Sequence, residues 1–383
     1  MNDIVSTYFI KNKYKIITYI DVSVLFTNET LSEYLNDCCN KYPILKQHIG
    51  KTGKLEDIVD FKLTDHYKII EESYENFDDY IESIDESINE SINESIELKW
   101  NVYYLTDINK KYRLYFIIDH SYADGYKLIE ILASYFGTYK SPYKCSKIQY
   151  KNYIYSILGT IILCITFCIN MIYICISCEK VNRSNKMDYI KCKPFILSEM
   201  KKCRNITVND FLYSLMIKTD YLYTNVERNV LSISPINILG NESNNNTLFM
   251  YNNTHNNMKN VELLKEVHEL FNNYKYSLFI PLQMAIINIM IKITPFNFIE
   301  YIINILSKRI DYIYTNIIGP THDIIEDVHF LISPLHSEII YNIISSADNV
   351  NIIISYKEGV IQDKARFEEC IYRAYDSLIE STL

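Results

Sequence analysis

Positive charge is in deficit along this chain of 383 residues: 38 Lys and Arg stand against 47 Asp and Glu, a net charge of -9 at pH 7. Binding to a phosphate backbone needs a basic face, so nucleic acid is excluded as the main partner. The N-terminus lacks the apolar core of a cleavable signal peptide, and ten cysteines in a chain this long do not make a small disulfide scaffold, so the thiols are expected to be reduced. The Asn-x-Ser/Thr matches at Asn241, Asn245 and Asn252 then read as by-products of an Asn-rich stretch rather than glycan sites. What is abundant is apolar and aromatic: 48% hydrophobic residues, with 35 Tyr and 16 Phe but one Trp, can fill sizeable cores. The length exceeds what one ordinary core holds, which predicts two domains.

The chain is organised around Tyr112 to Gly137. Leu114 to Ile118 has the length and composition of a buried strand, and it stops abruptly at Asp119 and His120. Across a short loop, Asp124 is placed to cap a helix opened by Gly125, with apolar residues at Leu128, Ile129, Leu132 and Phe136 and a stop at Gly137. A histidine at the tip of a core strand is held by rigid elements while its ring faces a cleft, which is what a general base needs. His-x-x-x-Asp-Gly also arises by chance in a chain with eight His, so its position at a strand end carries the reading.

In chain order, a strand is expected at Tyr14 to Ile20 and a helix from about Asn28 to Asn40, ending before Tyr42-Pro43, with a polar, turn-rich segment on to Asp65. Glu71 to Glu97 is acidic and nearly periodic, with Ile81, Ile84, Ile88, Ile92 and Ile96 about four apart, the pattern of a solvated helix with one face on the core. Trp100 lies in a second candidate strand, Leu98 to Leu105, and Asn109-Lys110 turns it into the strand that leads to His120. Asn152 to Cys178 then contains no charged residue, a run longer than the roughly 20 residues a helix needs to cross a bilayer. Lys144, Lys147 and Lys151 flank one end, Lys180, Arg183 and Lys186 the other. The four cysteines inside the run lack the polar surroundings of metal ligands, and no metal site is predicted. Beyond it, Thr207 caps a helix that starts Val208-Asn209-Asp210 and runs through Phe211 to Tyr221. Strands at Val230 to Asn237, Leu248 to Tyr251, Tyr312 to Asn316, Val328 to Ile332, Ile339 to Ser345 and Val350 to Tyr356 alternate with helices at Val261 to Asn273, Leu282 to Ile291, Phe296 to Leu306 and Lys364 to Glu380. Each half mixes strands with covering helices, an α/β class with mixed sheets, divided as residues 1–145, an apolar segment and linker at 146–190, and 191–383.

Four stretches in one order, Leu98-Lys99-Trp100, Asp119-His120 to Asp124-Gly125, Thr207 to Asp210, and Thr315-Asn316-Ile-Ile-Gly319-Pro320, resemble the wax ester synthase/diacylglycerol acyltransferase family of the coenzyme A-dependent acyltransferase superfamily. Tyr42-Pro43-Ile-Leu45-Lys46 resembles that family's early Pro-centred segment. Asp119 stands where the family has a first histidine, Ile318 replaces a usual Pro, and no Asp-Phe-Gly-Trp-Gly motif occurs, which separates the chain from the plant alcohol acyltransferase branch.

The resemblance implies a two-domain, chloramphenicol-acetyltransferase-like α/β fold, to which the uncharged run Asn152 to Cys178 adds a membrane-associated apolar helix. It implies acyl-CoA as substrate with no cofactor, His120 as general base, Asp124 and Gly125 holding the turn, and Asn209 and Asn316 binding substrate or an oxyanion. A fatty alcohol or diacylglycerol would be the acceptor, giving wax ester or triacylglycerol. Acylation of a different alcohol or amine, or an inactive lipid-binding role, stay open as alternatives. Because the family fold sets both halves on one tunnel, residues 152–178 are expected to enter one leaflet only, at the cytoplasmic face of an intracellular membrane such as the endoplasmic reticulum.

Overall fold

The computed structural model describes residues 15–49, 55–74, 100–107, 109–119, 125–133, 187–203, 205–237, 247–276, 310–332 and 337–382, with scattered residues of 157–165 and 278–301. In chain order the strands are β1 (Lys15–Val22), β2 (Gln47–Ile49), β3 (Leu55–Asp57), β4 (Tyr67–Tyr74), β5 (Trp100–Asp107), β6 (Tyr112–Asp119), β7 (Met187–Lys191), β8 (Phe195–Ile196), β9 (Asn229–Asn237), β10 (Thr247–His255), β11 (Tyr312–Ile318), β12 (Ile325–Ile332), β13 (Ile339–Ser346) and β14 (Asn349–Lys357). The helices are α1 (Asn28–Lys41), α2 (Gly125–Ala133), α3 (Leu197–Met200), α4 (Val208–Thr224), α5 (Asn260–Tyr276) and α6 (Lys364–Glu380). The chain divides into two units, residues 2–140 with 318–332, and residues 141–317 with 333–383.

The first unit is built on a sheet of order β12-β1-β6-β5-β4. Tyr19 of β1 lies opposite Tyr115 of β6 on one side and His329 of β12 on the other, both antiparallel. The run Leu114 to Ile118 is buried throughout, as a strand covered on both faces must be. On one face α1 and α2 pack together: the Tyr34 hydroxyl donates to the Leu132 carbonyl at 3.3 Å, and the Tyr34 ring meets Phe116 edge-on. α1 begins at a capping box in which Thr27 and Thr30 satisfy each other's amides, and it ends where Pro43 cannot continue it. Arg113 is buried in the same unit, over the Tyr19 ring at 4.2 Å and paired through two nitrogens with Asp21. His329, fully enclosed, stacks on Tyr19 at 4.7 Å and holds Asp327 at 2.7 Å.

Two of the sequence stretches meet here. The Trp100 indole N–H donates to the Leu45 carbonyl at 2.8 Å, and its ring stacks on His66 at 4.3 Å, so the Pro43 turn and the Trp100 strand close on each other. One expectation is corrected: Glu71 to Tyr74 is strand, not the start of a helix, because β4 runs parallel to β5 at the end of the sheet, where its Glu71 and Glu72 are tolerated at an edge. The isoleucine repeat from Ile81 lies outside the described residues.

The second unit has a sheet of order β10-β9-β11-β13-β14-β7, with β8 added on β14. A core of buried residues from α4, α5 and α6, among them Phe211, Met216, Val267, Phe367 and Leu378, packs with Tyr312, Tyr341, Ile352 and Ile354 of the sheet. Tyr312 and Ile313 of β11 run parallel to Ser232 and Ile233 of β9, whereas β10 on β9, β13 on β14, and β7 and β8 on β14 are antiparallel. Among the described residues no helix is long and apolar enough to cross a membrane. Most of 152–178 lies outside them, so the expected membrane-associated helix is met there only by the helical residues 157, 159–161 and 163–165.

Candidate active site

Asp119 is the last residue of β6 and Gly125 the first of α2, so the expected strand and helix flank the motif as read from the sequence. His120 and Asp124 fall on the residues between, outside those described. Asp119 pairs in register with Lys15 of β1. On the helix, Leu128, Ile129 and Leu132 are buried as their spacing predicted, Ile131 is buried beside them, and Phe136 lies outside the described residues.

The other two candidates are brought together, 107 residues apart in sequence. Thr207 caps α4 in a box with Asp210: the Asp210 carboxylate accepts from the Thr207 amide at 2.8 Å while the Thr207 hydroxyl accepts from the Asp210 amide at 3.2 Å. This box sets Asn209 in the first turn of a 17-residue helix, where unpaired amides and the helix dipole leave partial positive charge. Tyr314 and Asn316 alternate along β11 and so share one face. The Tyr314 hydroxyl donates to Asn209 Oδ1 at 2.8 Å and Asn316 Nδ2 donates to the same oxygen at 3.2 Å. Two donors on Oδ1 fix which way the Asn209 amide faces, and among the described residues nothing accepts from its Nδ2. Among the described residues, nothing donates to the enclosed Asn316 Oδ1.

Tyr314 was not singled out by its sequence context; in a chain with 35 Tyr, only its partner marks it. Its ring meets Tyr213 of α4 edge-on at 5.4 Å, and Tyr213 in turn meets Phe271 of α5. The Tyr213 hydroxyl bonds Ser232 of β9, and burial, only partly offset by that bond, pushes its pKa up to about 12, so it stays a neutral phenol. Asp210, buried, also holds His268 Nδ1 at 2.7 Å, and Asn272 Nδ2 sits 2.8 Å from His268 Nε2. An amide nitrogen can only donate, so Nε2 accepts and Nδ1–H donates to Asp210, locking the start of α4 from α5. Among the described residues no group of His, Cys, Asp or Glu could hold a metal ion. The Cys39 thiol, pushed up to about 12 chiefly by burial, is no nucleophile.

Residues 243–379 match the WS/DGAT C-terminal domain. Comparison with curated proteins finds no significant match. Among solved structures, the chain is similar to the wax ester synthase/diacylglycerol acyltransferase from Marinobacter aquaeolei VT8, with 11% identity over 99% of this chain and 98% of that one and a TM-score of 0.56. It is similar to TRI3 trichothecene 15-O-acetyltransferase from Fusarium sporotrichioides, with 11% identity, 98% and 94% coverage and a TM-score of 0.69. The starter condensation domain of rhizomide synthetase RzmA, solved in complex with C8-CoA and Leu-SNAC, matches at 9% identity, 99% and 94% coverage and a TM-score of 0.62. The mixed α/β fold with two large sheets is thus similar to that of these acyltransferases and this condensation domain.

Proposed function

We propose, from the match of residues 243–379 to the WS/DGAT C-terminal domain, that the chain is a member of the wax ester synthase/diacylglycerol acyltransferase family and an O-acyltransferase moving an acyl group from acyl-CoA to a fatty alcohol or diacylglycerol. The observation that carries the reading is Asn209 in the first turn of α4, its Oδ1 held by Tyr314 and Asn316 so that its Nδ2 hydrogens are left to donate. In this reading His120 takes the proton of the acceptor hydroxyl as that oxygen attacks the thioester carbonyl. The carbonyl oxygen gains charge, for which Asn209 Nδ2–H and the positive end of α4 are suited donors. Collapse breaks the carbon–sulfur bond; the thiolate leaves and takes up the proton as free coenzyme A. No covalent acyl-enzyme and no cofactor is called for.

Asn316 has a different role in this scheme from that of a donor to the oxyanion. Its Nδ2 is engaged with Asn209, and its Oδ1, an acceptor, would repel a developing negative charge. It positions Asn209. A water-insoluble acceptor is favoured by the uncharged stretch 152–178, which suits work at a membrane surface. The test is an assay of the purified full-length chain with labelled acyl-CoA against fatty alcohols, diacylglycerol and short soluble alcohols and amines. Product with the lipid acceptors is expected; transfer only to a soluble amine or alcohol would overturn the choice of substrate, and no transfer to any acceptor would overturn the enzyme.

Two substitutions probe the assigned roles. Tyr314→Phe keeps the ring against Tyr213 and removes one donor to Asn209; kcat is expected to fall about threefold to tenfold, the rate equivalent of one hydrogen bond of ~0.5–1.5 kcal/mol, with a fall in Tm of no more than about 6 °C. An unaltered kcat would remove Tyr314 from the positioning of Asn209. Asp124→Asn, if Asp124 holds the turn before α2, lowers Tm or solubility together with activity. A stable, inactive Asp124→Asn protein would show that this carboxylate acts in proton transfer instead.

A further inference from the structure

We propose that Ser234 and Asn252 are positioning residues for Asn209, acting on it through Asn316 and a short chain of ordered waters enclosed between α4 and the sheet. The proposal rests on the reading of Asn209 as donor to the oxyanion. In the register of the second unit, Asn252 of β10 lies opposite Ser232 of β9, and Ser232 lies opposite Tyr312 of β11. Side chains alternate between the faces of a strand, so Ser234, two residues beyond Ser232, stands on the same face, as do Tyr314 and Asn316 beyond Tyr312. That face is the one α4 covers: the Tyr213 hydroxyl bonds Ser232, and the Tyr314 hydroxyl and Asn316 Nδ2 both donate to Asn209 Oδ1. Asn252, Ser234 and Asn316 therefore follow one diagonal across three adjacent strands. With strands about 4.8 Å apart and a two-residue step of about 6.6 Å, each diagonal step is about 8 Å between backbones.

These three side chains carry polar atoms that α4 leaves unmet. Among the described residues, Ser234 Oγ, Asn316 Oδ1 and both amide atoms of Asn252 are enclosed and meet no hydrogen-bond partner. The Tyr213 hydroxyl comes near Asn252 but bonds Ser232 instead. Thr315 Oγ1 and Asn253 Oδ1, unmet as well, alternate onto the opposite face and take no part. Folded chains seldom bury such atoms unmet, and an internal water making about three hydrogen bonds is their usual partner. Chemistry and size select water here. One hydroxyl, one amide donor and two carbonyl acceptors call for a neutral partner that both donates and accepts. Ser232, Ser234 and Asn252 are 0%, 2% and 1% exposed, which closes the seam to an acyl chain. Once the side chains have reached in from each end, a step of about 8 Å leaves a gap that one water bridges. The water between Ser234 and Asn316 donates to Asn316 Oδ1. This polarises the Asn316 amide, so that its Nδ2–H binds Asn209 Oδ1 more strongly and Asn209 Nδ2–H becomes the better donor in turn.

The test is steady-state acyl transfer by the full-length chain. Ser234→Ala, and separately Asn252→Leu, should lower kcat about twofold to fivefold at an unchanged KM for acyl-CoA. Ser234→Thr, which keeps the hydroxyl, should recover most of the loss. On an Asn209→Ala background Ser234→Ala should have no further effect on kcat, because the chain then ends on no donor to the oxyanion. A residue that only packs would slow both backgrounds equally and would not separate Thr from Ala; that result overturns the proposal. Asn252→Leu changes shape in a core and can fail to fold, so the Ser234 pair carries the decision if it does. Ser234→Ala at full kcat, with Asn209→Ala slow, removes the positioning chain alone, whereas Asn209→Ala at full kcat removes the oxyanion reading beneath it. A high-resolution crystal structure of the full-length chain supplies the second measurement. Ordered waters bonded to Ser234 Oγ and Asn316 Oδ1 support the chain, and a dry seam, or one filled by another part of the protein, overturns it.

Discussion

His120→Ala is expected to lower acyl transfer about 10²- to 10⁴-fold, the usual worth of a positioned general base and equivalent to about 3–5 kcal/mol of barrier. The acceptor hydroxyl is a poor nucleophile until its proton has somewhere to go, so the loss should fall on kcat and leave acyl-CoA binding largely in place. Folding should survive. β6 ends at Asp119, one residue before the substitution, and its buried run of Leu114 to Ile118 is anchored between β1 and β5. The measurement is turnover of labelled acyl-CoA at saturating acceptor, alongside a thermal melt. A variant with near-normal kcat and normal Tm would end the general-base assignment and mean that another group takes the acceptor's proton.

Much of the site's scaffold could be read from the chain alone, because its signals are local. The apolar run of β6, the one-sided face of α2 and the Thr207 cap of α4 each occupy a single stretch, and each matches its element. What escaped is what depends on partners far away in sequence. β4 mixes Lys68, Glu71 and Glu72 with its isoleucines, as an edge strand can, and so looks like a turn and a helix start. β7, five residues with Asp188 and Lys191 in it, is too short and polar to show a period. β12 follows β11 closely but pairs with β1, across a separation of about 300 residues that no periodicity encodes. Asn209 and Asn316 were legible as separate candidates; their shared oxygen, and Tyr314 as the second donor to it, needed the approach of α4 to β11.

The same distance in sequence hides the residue whose loss should cost most in stability. Asp220, in the last turns of α4, is fully buried, and its carboxylate accepts from the Arg228 guanidinium through two nitrogens, from Asn256 Nδ2 at 2.7 Å and from the Tyr312 hydroxyl. Arg228 also holds Asp311 at 2.8 Å, whose other oxygen accepts from the Leu231 amide. One carboxylate thus ties the end of α4 to β11, to Arg228 just before β9 and to Asn256 just after β10. Burial alone would lower the Arg228 pKa, but its two carboxylate partners raise it above the ordinary value, so the cation is retained. Asp220→Asn is close to isosteric, yet it removes the anion and points an amide N–H₂ at groups that are themselves donors. Breaking a buried pair on one side costs about 3–5 kcal/mol because the remaining charge is left under-compensated. Spread over a unit of this size, that corresponds to a fall in Tm of roughly 6–20 °C. The check is a thermal melt of Asp220→Asn, Arg228→Met and the double variant. A double variant less destabilised than the two single losses added together is expected, since neither charge is then stranded. A shift of less than about 2 °C for Asp220→Asn would mean that Asp311 alone compensates Arg228 and that α4 is held by its apolar face.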